Sequence, residues 1–300
     1  MLRSLAEILE AAKAKAGEKT IAVAAAEDTE VLSALKEARE LGMAEAILVG
    51  DEVKIRRAAG SVGLDLTGVQ IINEPSPQSA ARRAVQLVSS GQAQMLMKGL
   101  ISTADVLRAV LDRDIGLRTG NVLSHVALLE PNDYGKLLLM TDGGMIIAPD
   151  LKQKAQMIEN AVGIARVLGN DCPKVAVIAA FEKVNPDMAA TVDAALLSKM
   201  AERGQISGCI VDGPLALDGA VSREAADHKG IVSPVAGDAD ILLMPTIEPG
   251  NVMYKTIVYL AGGQVAGVIA GARAPIILTS RSDSHQAKLY SIATAVLMAK

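Results

Sequence analysis

Ten short apolar runs, none alternating with polar residues, recur along this chain and constrain its fold more than any motif does. They are "IAVAAA" (21–26), "AILVG" (46–50), "VQII" (69–72), "MLMKG" (95–99), "VLSHVALL" (122–129), "KLLLMTD" (136–142), "VAVIAA" (175–180), "GCIVDG" (208–213), "ILLMP" (241–245) and "PIILTS" (275–280). A strand with one wet face alternates, so runs that are apolar throughout belong to strands covered on both faces. Most are followed by segments of helical period, such as "EDTEVLSALKEARELG" and "SPQSAARRAVQLVSS". Strands alternating with helices build a mainly parallel sheet with helices on either side. The expected class is α/β, layered helix, sheet, helix. Three hundred residues, half of them apolar, suffice for two such cores. "GMIIAPDLKQ" (144–153) breaks the series with Gly and Pro before a long helix. The first domain is therefore expected at 1–145 plus 272–300, with the closing helix returning to it, and the second at 146–271.

Charge and composition narrow the partners. Net charge is −4 and no basic run exceeds two residues, which argues against a nucleic-acid backbone as partner. Phe181, four tyrosines and no tryptophan leave nothing to stack bases on. The N-terminal "MLRSLAEILEAAKAKAGEKT" reads as a charged amphipathic helix rather than an export signal, and no window has the apolar length of a membrane span. A cytoplasmic protein with no membrane partner is expected. Cys172 and Cys209 lie far apart in sequence and outside any metal-spaced cluster, so neither a disulfide framework nor a metal site is indicated. An acidic protein that binds an anion must do so through local cations and helix ends.

Ligands of open α/β sheets gather at the carboxyl ends of the strands, and several of these ends are polar. "MKGLISTADVLRAV" places Lys98 at a strand end, Ser102 and Thr103 at a helix start and Arg108 on that helix. "SHVALLE" and "MTDGG" offer Ser124, His125 and Asp142; "VDGPLALDGAVS" offers Asp212, Gly213 and Asp218. "MPTIEPGNVMYKTI" runs through a Pro-Gly turn to Asn251, with Lys255 four residues on. "TSRSDS" (279–284) joins a strand to a helix through Ser280, Arg281 and Asp283. A structural role competes at each position: Ser102 to Asp105 as a capping box, Asn251 as an N-cap, Asp212-Gly213 as a turn, Asp283 with Gln286 as a helix cap, and His125 as a core histidine. Arg281 fits capping least, since a guanidinium sits badly at the positive end of a helix unless an anion shares the site.

No two glycines are separated by one residue, so the dinucleotide fingerprint is missing, and the nucleotide phosphate loop is missing too. "KGLISTADVLRAVL", "SHVALLE", "VDGPLALDGAVS", "PTIEPGNVMYKTIVYLAG" and "ILTSRSDS" together resemble the phosphate acyltransferases, the family of phosphate acetyltransferase and phosphate butyryltransferase, over essentially the whole chain. The wording "SHVA", "DGPLALD" and "TSRSDS" is closer to the butyryl branch. The resemblance implies exchange of acyl-CoA and phosphate for acyl phosphate and free CoA; the absence of a well-placed nucleophile leads to the expectation of direct transfer in a ternary complex. It implies no cofactor beyond CoA as substrate, a homodimer or larger homo-oligomer, and two α/β domains like those of isocitrate and isopropylmalate dehydrogenases, with the site in the cleft between them. Carried over, the family's Ser-Arg pair falls on Ser280 and Arg281, its arginine after threonine on Arg108, and its Gly-Asn-x-x-Tyr-Lys run on Gly250, Asn251, Tyr254 and Lys255. Ser280, Arg281 and Asn251 are then expected in catalysis, with Lys98, Thr103, Arg108, Ser124, Tyr254 and Lys255 binding phosphate or CoA. Two positions depart from the acetyl branch: Ala287 stands in place of an aspartate and Tyr259 in place of an arginine.

Rival readings are phosphate acetyltransferase itself, a metal-dependent hydroxy-acid dehydrogenase, an acyltransferase with a cysteine nucleophile, and a non-catalytic protein binding an anion or CoA. The dehydrogenase would need clustered aspartates, and Asp142, Asp212, Asp218, Asp238 and Asp240 are scattered.

Overall fold

The computed structural model describes residues 1–15, 19–132, 134–280 and 282–299. Its elements begin with α1 (Leu5–Ala14), β1 (Thr20–Ala24), α2 (Thr29–Glu40), β2 (Glu45–Gly50), α3 (Glu52–Val62), β3 (Gln70–Asn73), α4 (Pro77–Ser89), β4 (Met95–Lys98) and α5 (Thr103–Val110). A second series comes next: β5 (Ser124–Glu130), β6 (Leu138–Thr141), α6 (Leu151–Val167), β7 (Lys174–Ile178), α7 (Ala189–Glu202), β8 (Ile210–Leu215), α8 (Leu217–Val221), α9 (Arg223–His228), β9 (Ile241–Leu243) and α10 (Ile247–Tyr259). The chain closes with β10 (Gln264–Ala270), β11 (Ile276–Ile277) and α11 (His285–Met298). All ten apolar runs contain strands.

Two compact units result, Leu5–Asn121 with Ala266–Lys300, and Met1–Ser4 with Val122–Val265. These limits differ from those expected at 145/146 and 271/272. The cause is the hairpin of β5 and β6, which pairs Ala127 with Met140 and then lays β6 along β9, so residues 124–141 join the later strands rather than the earlier ones. In the first unit the strands run β3-β2-β1-β4-β11-β10, and in the second β5-β6-β9-β7-β8. Within each unit neighbours are parallel except β10 with β11 and β5 with β6.

Local chemistry sets the helix starts. Asp28, Asp51 and Ser76 cap α2, α3 and α4, the last with proline in its first turn, and Asp150 with Gln153 closes a capping box on α6. The middle strands are buried to the last atom: Ile21 to Ala24 on β1, Met95 to Met97 on β4 and Ile241 to Leu243 on β9. Each of the valine, leucine, isoleucine and methionine side chains among them contributes about 1.5–3 kcal/mol of burial relative to exposure. In α11 every residue from Ala287 to Leu297 is buried, so this helix is enclosed rather than amphipathic.

Strand β10 was not among the expected runs. Its "QVAGVIAG" reads like more of the glycine-rich connection before it. The strand packs on α11, whose Ser291 hydroxyl accepts the Gly267 N–H at 2.9 Å.

Candidate active site

In the first unit the chain builds outward from β1 to β2 and β3, then reverses to place β4 on the other side of β1. That reversal is where ligands bind in sheets of this kind. Ala24 pairs with Lys98, and Ile277 of β11 pairs with Met97, so the loops after β1, β4 and β11 leave the sheet from one row. They carry Glu27, Lys98 with Thr103, and Ser280. Close packing holds them: the Leu100 N–H donates to the Ala25 carbonyl at 2.7 Å, and a Cβ on Gly99 would overlap that carbonyl. Ala25 itself has φ +56°, a left-handed conformation unusual outside glycine.

Lys98 is buried, its ammonium donating to the carbonyls of Gly99 at 3.1 Å and Ile101 at 3.3 Å. Ser102 caps α5 by accepting the Asp105 N–H, and its hydroxyl donates to the Asp105 carboxylate at 2.8 Å, which puts Thr103 first in the helix. The Ser102 hydroxyl and then the Arg108 guanidinium hold Asp105 below the ordinary carboxyl range. Arg108 is ion-paired to Asp105 and its side chain is 73% exposed, so it lies on the helix surface.

The "TSRSDS" junction differs from expectation. Ser284, not Asp283, is the N-cap of α11, accepting the Ala287 N–H at 3.2 Å. Asp283 is buried and turned back on the strand end, its carboxylate accepting the Ser280 N–H at 2.7 Å while the Asp283 N–H donates to the Ser280 carbonyl at 3.2 Å. Its own carbonyl takes the ammonium of Lys288, which is also buried. The Ser280 and Ser282 hydroxyls lie 3.1 Å apart on the outside of this turn. Arg281 lies outside the described residues.

The second unit gathers a different set. Continuing the β5–β6 register sets Ser124 beside Gly143 at the carboxyl end of β6. Asp142 organises this end: its carboxylate accepts the N–H groups of His125 at 2.8 Å, Gly144 at 2.7 Å and Met145 at 2.8 Å. Helix α10 packs on the same loop, and two glycines permit the approach. A Cβ on Gly250 would overlap the Asp142 carbonyl, and one on Gly143 would lie 2.8 Å from the Gly250 carbonyl carbon. Asn251 is not an N-cap: α10 begins at Ile247 after Thr246, with Pro249 in the first turn, where its missing N–H has no helical partner to lose. The Asn251 amide instead donates to the Gly143 carbonyl at 3.1 Å. Tyr254 meets the His125 ring edge-on at 6.3 Å, and the Lys255 ammonium lies 5.6 Å from the Tyr254 ring and 5.7 Å from that of Tyr259. Ser124 is fully buried, its hydroxyl accepting from Asn160 of α6 at 2.9 Å.

The family model described as "Phosphate acetyl/butaryl transferase" matches residues 4–82 and 76–296. The chain belongs to that family. It is 50% identical over 299 residues to a phosphate butyryltransferase of Clostridium acetobutylicum, covering all of this chain and 99% of that one. A phosphate acetyltransferase of Thermotoga maritima is 47% identical over 98% of this chain and 99% of its own. Among solved structures, a branched-chain phosphotransacylase of Enterococcus faecalis superposes with TM-score 0.82 at 35% identity, over 93% of this chain and 98% of that one.

Of the residues singled out in sequence, Lys98, Thr103 and Ser280 come to one strand-end row, and Asn251, Tyr254 and Lys255 to one helix against the Asp142 loop. Sequence reasoning missed Glu27, whose carboxyl burial pushes above its usual range. It also gave no role to Gly99, Gly143 or Asn160. The facing "DGG" and "PGN" glycines were the available signal for Gly143. The remaining aspartates have local work: Asp212 accepts the Gly213 N–H inside β8, Asp218 pairs with Lys229, Asp238 pairs with Lys136 and Lys174, and Asp240 pairs with Lys136 and accepts the Lys174 backbone N–H. Among the described residues no group of three or more His, Cys, Asp or Glu could hold a metal ion, and no helix is long and apolar enough to cross a membrane.

Proposed function

We propose that this chain transfers a short acyl group, butyryl or a close branched or linear relative, from its CoA thioester to phosphate by direct attack in a ternary complex. The reading rests on half identity, end to end, with a phosphate butyryltransferase. CoA enters as substrate and no resident cofactor is invoked. A cytoplasmic homodimer or larger homo-oligomer completes the proposal, on the family resemblance.

A phosphate oxygen attacks the thioester carbonyl carbon, the C–S bond breaks and CoA leaves as thiolate. Phosphate is an anionic nucleophile at neutral pH, and a thiol of pKa about 8.5 is a fair leaving group. The protein's work is therefore to hold two anions together and stabilise the tetrahedral oxyanion. Proximity can offset about 7–11 kcal/mol of the barrier. Lys98, the start of α5 at Thr103, and Arg281 supply positive charge for phosphate, with Arg108 on the same helix available to the longer CoA anion. The Ser280 hydroxyl donates to the developing oxyanion. In the second unit, Asn251 fixes the Asp142 loop, and Lys255, seated near the buried Tyr254 ring, offers a cation to CoA. Ser124, buried and bonded to Asn160, starts the strand whose His125 N–H holds the Asp142 carboxylate.

The test is thiol release from butyryl-CoA with and without phosphate, then kcat/KM for acetyl-, propionyl-, butyryl- and isobutyryl-CoA. Release should require phosphate, and a four-carbon chain should be preferred. Acetyl-CoA as the best substrate overturns the chain-length assignment; release indifferent to phosphate overturns the reaction.

A further inference from the structure

Three strands of the second unit end in one row. Thr141 of β6 and Val177 of β7 both pair with Leu243 of β9, so the segments that follow these strands leave the sheet side by side. Two of them are the Asp142 loop and the start of α10. The third, residues 179–188, carries Phe181, the one phenylalanine of the chain, which is 51% exposed. A cavity of about 430 Å³ opens beside it, lined by Phe181, Glu182, Lys183 and Asn185 from this loop and by Lys229 and Ile231 after α9. That size is within the range of small-molecule sites, about 300–1,000 Å³. Both walls are braced. The buried Thr191 hydroxyl accepts the Asn185 N–H at 2.9 Å and donates to the Met188 carbonyl at 2.8 Å, while the Asn185 side chain takes the Asp187 N–H at 3.0 Å. The Lys229 ammonium bridges Glu182 at 2.7 Å and Asp218 of α8 at 2.9 Å, which engages both carboxylates. Lys183 is exposed and has no ion pair among the described residues, so the cavity keeps one uncommitted cation beside one aromatic face.

An aromatic face with a free cation suits a purine nucleotide, the base on the ring and a phosphate on the ammonium. A single ring is no platform for a strand of bases, but it serves one. On the reading that acyl-CoA is the substrate, we infer that Phe181 and Lys183 hold the nucleotide end of CoA, with adenine stacked on the Phe181 ring and the ribose 3′-phosphate on the Lys183 ammonium. Strand β7 lies two strands from β6, about 10 Å across the sheet, so the pantetheine arm runs back along the row towards the Asp142 loop that Asn251 fixes. The nucleotide takes no part in acyl transfer. Its contacts anchor the thioester from a distance, and a cavity already braced by Thr191 and Lys229 spares the cost of ordering a loop around the ligand.

Two measurements test this on the full-length protein, with thermal melts confirming that each variant folds. In the first, adenosine 3′,5′-bisphosphate, the nucleotide without the pantetheine arm, is titrated calorimetrically into wild type, Phe181→Ala, Phe181→Trp and Lys183→Gln. Affinity should fall about tenfold in Phe181→Ala and about threefold in Lys183→Gln, and Phe181→Trp should keep it. In the second, KM and kcat are compared for butyryl-CoA, its 3′-dephospho form and butyryl-pantetheine, each with phosphate. Phe181→Ala should raise KM about tenfold for both thioesters that carry the nucleotide, with kcat little changed, and should not alter KM for butyryl-pantetheine. Lys183→Gln should raise KM for butyryl-CoA alone. A bisphosphate bound equally by wild type and Phe181→Ala, or by neither, overturns the inference, as does a Phe181→Ala defect of the same size on butyryl-pantetheine. Wild type that binds the bisphosphate through Phe181 but releases no thiol from butyryl-CoA overturns the acyl transfer reading instead and leaves the nucleotide site standing.

Discussion

Replacing Asp283 by alanine tests how Ser280 is held. The carboxylate is buried and accepts the Ser280 N–H at 2.7 Å, so the substitution removes a charge-assisted hydrogen bond and strands a donor. Such bonds contribute about 1.5–3 kcal/mol. With an unfolding entropy of about 2.1 cal/mol/K per residue, a chain this long changes Tm by about 1.6 °C per kcal/mol, so Asp283→Ala should melt about 2–5 °C lower. The turn that presents the Ser280 hydroxyl loosens with it, and a displacement of about 1 Å at a reacting group can cost about 10²-fold in kcat/KM. Asp283→Asn keeps the shape and a neutral acceptor, so it should melt within about 2 °C of wild type and stay within about fivefold in kcat/KM. Arg281→Ala is the reference for a lost anion clamp, with a deficit of about 3–4 kcal/mol in transition-state stabilisation by analogy with an oxyanion donor. Thermal melts and phosphate-dependent thiol release on the three variants decide the matter. If Asp283→Asn melts like wild type yet is as inactive as Arg281→Ala, the carboxylate acts in the chemistry and the positioning account is wrong.

Three further outcomes are expected. Gly250→Ala drives a methyl into the Asp142 carbonyl and should destabilise by about 1–3 kcal/mol; an unchanged melt would mean that the α10 start is slack. Asp238, held down to about 2 first by Lys136 and then by Lys174, contributes stability that is complete above its ordinary value near 4 and lost as pH falls toward 2. The Tm difference between wild type and Asp238→Asn should therefore be small at pH 7, since this side chain is half-exposed, and vanish by about pH 2; a difference that grows on acidification contradicts the lysine pairing. Cys172→Ala with Cys209→Ala should keep activity within about twofold under reducing conditions, because direct transfer needs no thiol; a loss of orders of magnitude with an intact fold would indicate an acyl-enzyme.

Fold class was legible because continuous apolar runs such as "MLMKG" and "ILLMP" state burial on both faces without any tertiary information. Strand β10 was not, since its glycine reads as more of the connection before it, and its pairing with β11 depends on a strand that comes later in the chain. The polar strand ends were legible as residue types but not as geometry. Asp283 and Ser284 are equally good caps on paper, and only the return of the carboxylate to the Ser280 N–H separates them. Asn251 read as a cap because Pro-Gly precedes it, yet the helix starts four residues earlier, its first turn tolerating both. The unit limits escaped because nothing in "SHVALLE" says that it pairs with the next strand in a hairpin that joins the second unit.

Strand β11 lies between β4 and β10, inside the sheet rather than at its edge, and it comes from the last thirty residues of the chain. On the ribosome, β1 to β4 can pair with one another as they emerge, but the partner for the open side of β4 is not yet made. The unit from Val122 to Val265 is complete, apart from four residues already translated, before its neighbour can finish. Synthesis and folding therefore run out of order, and the open side of β4, flanked by Met95, Leu96 and Met97, waits as an unpaired apolar edge through the translation of well over a hundred residues. A chain stopped after Val265 should accordingly yield a protease-resistant core from residues 122–265 while residues 5–121 are digested, and a nascent chain is most exposed to aggregation in the interval before its final strand arrives.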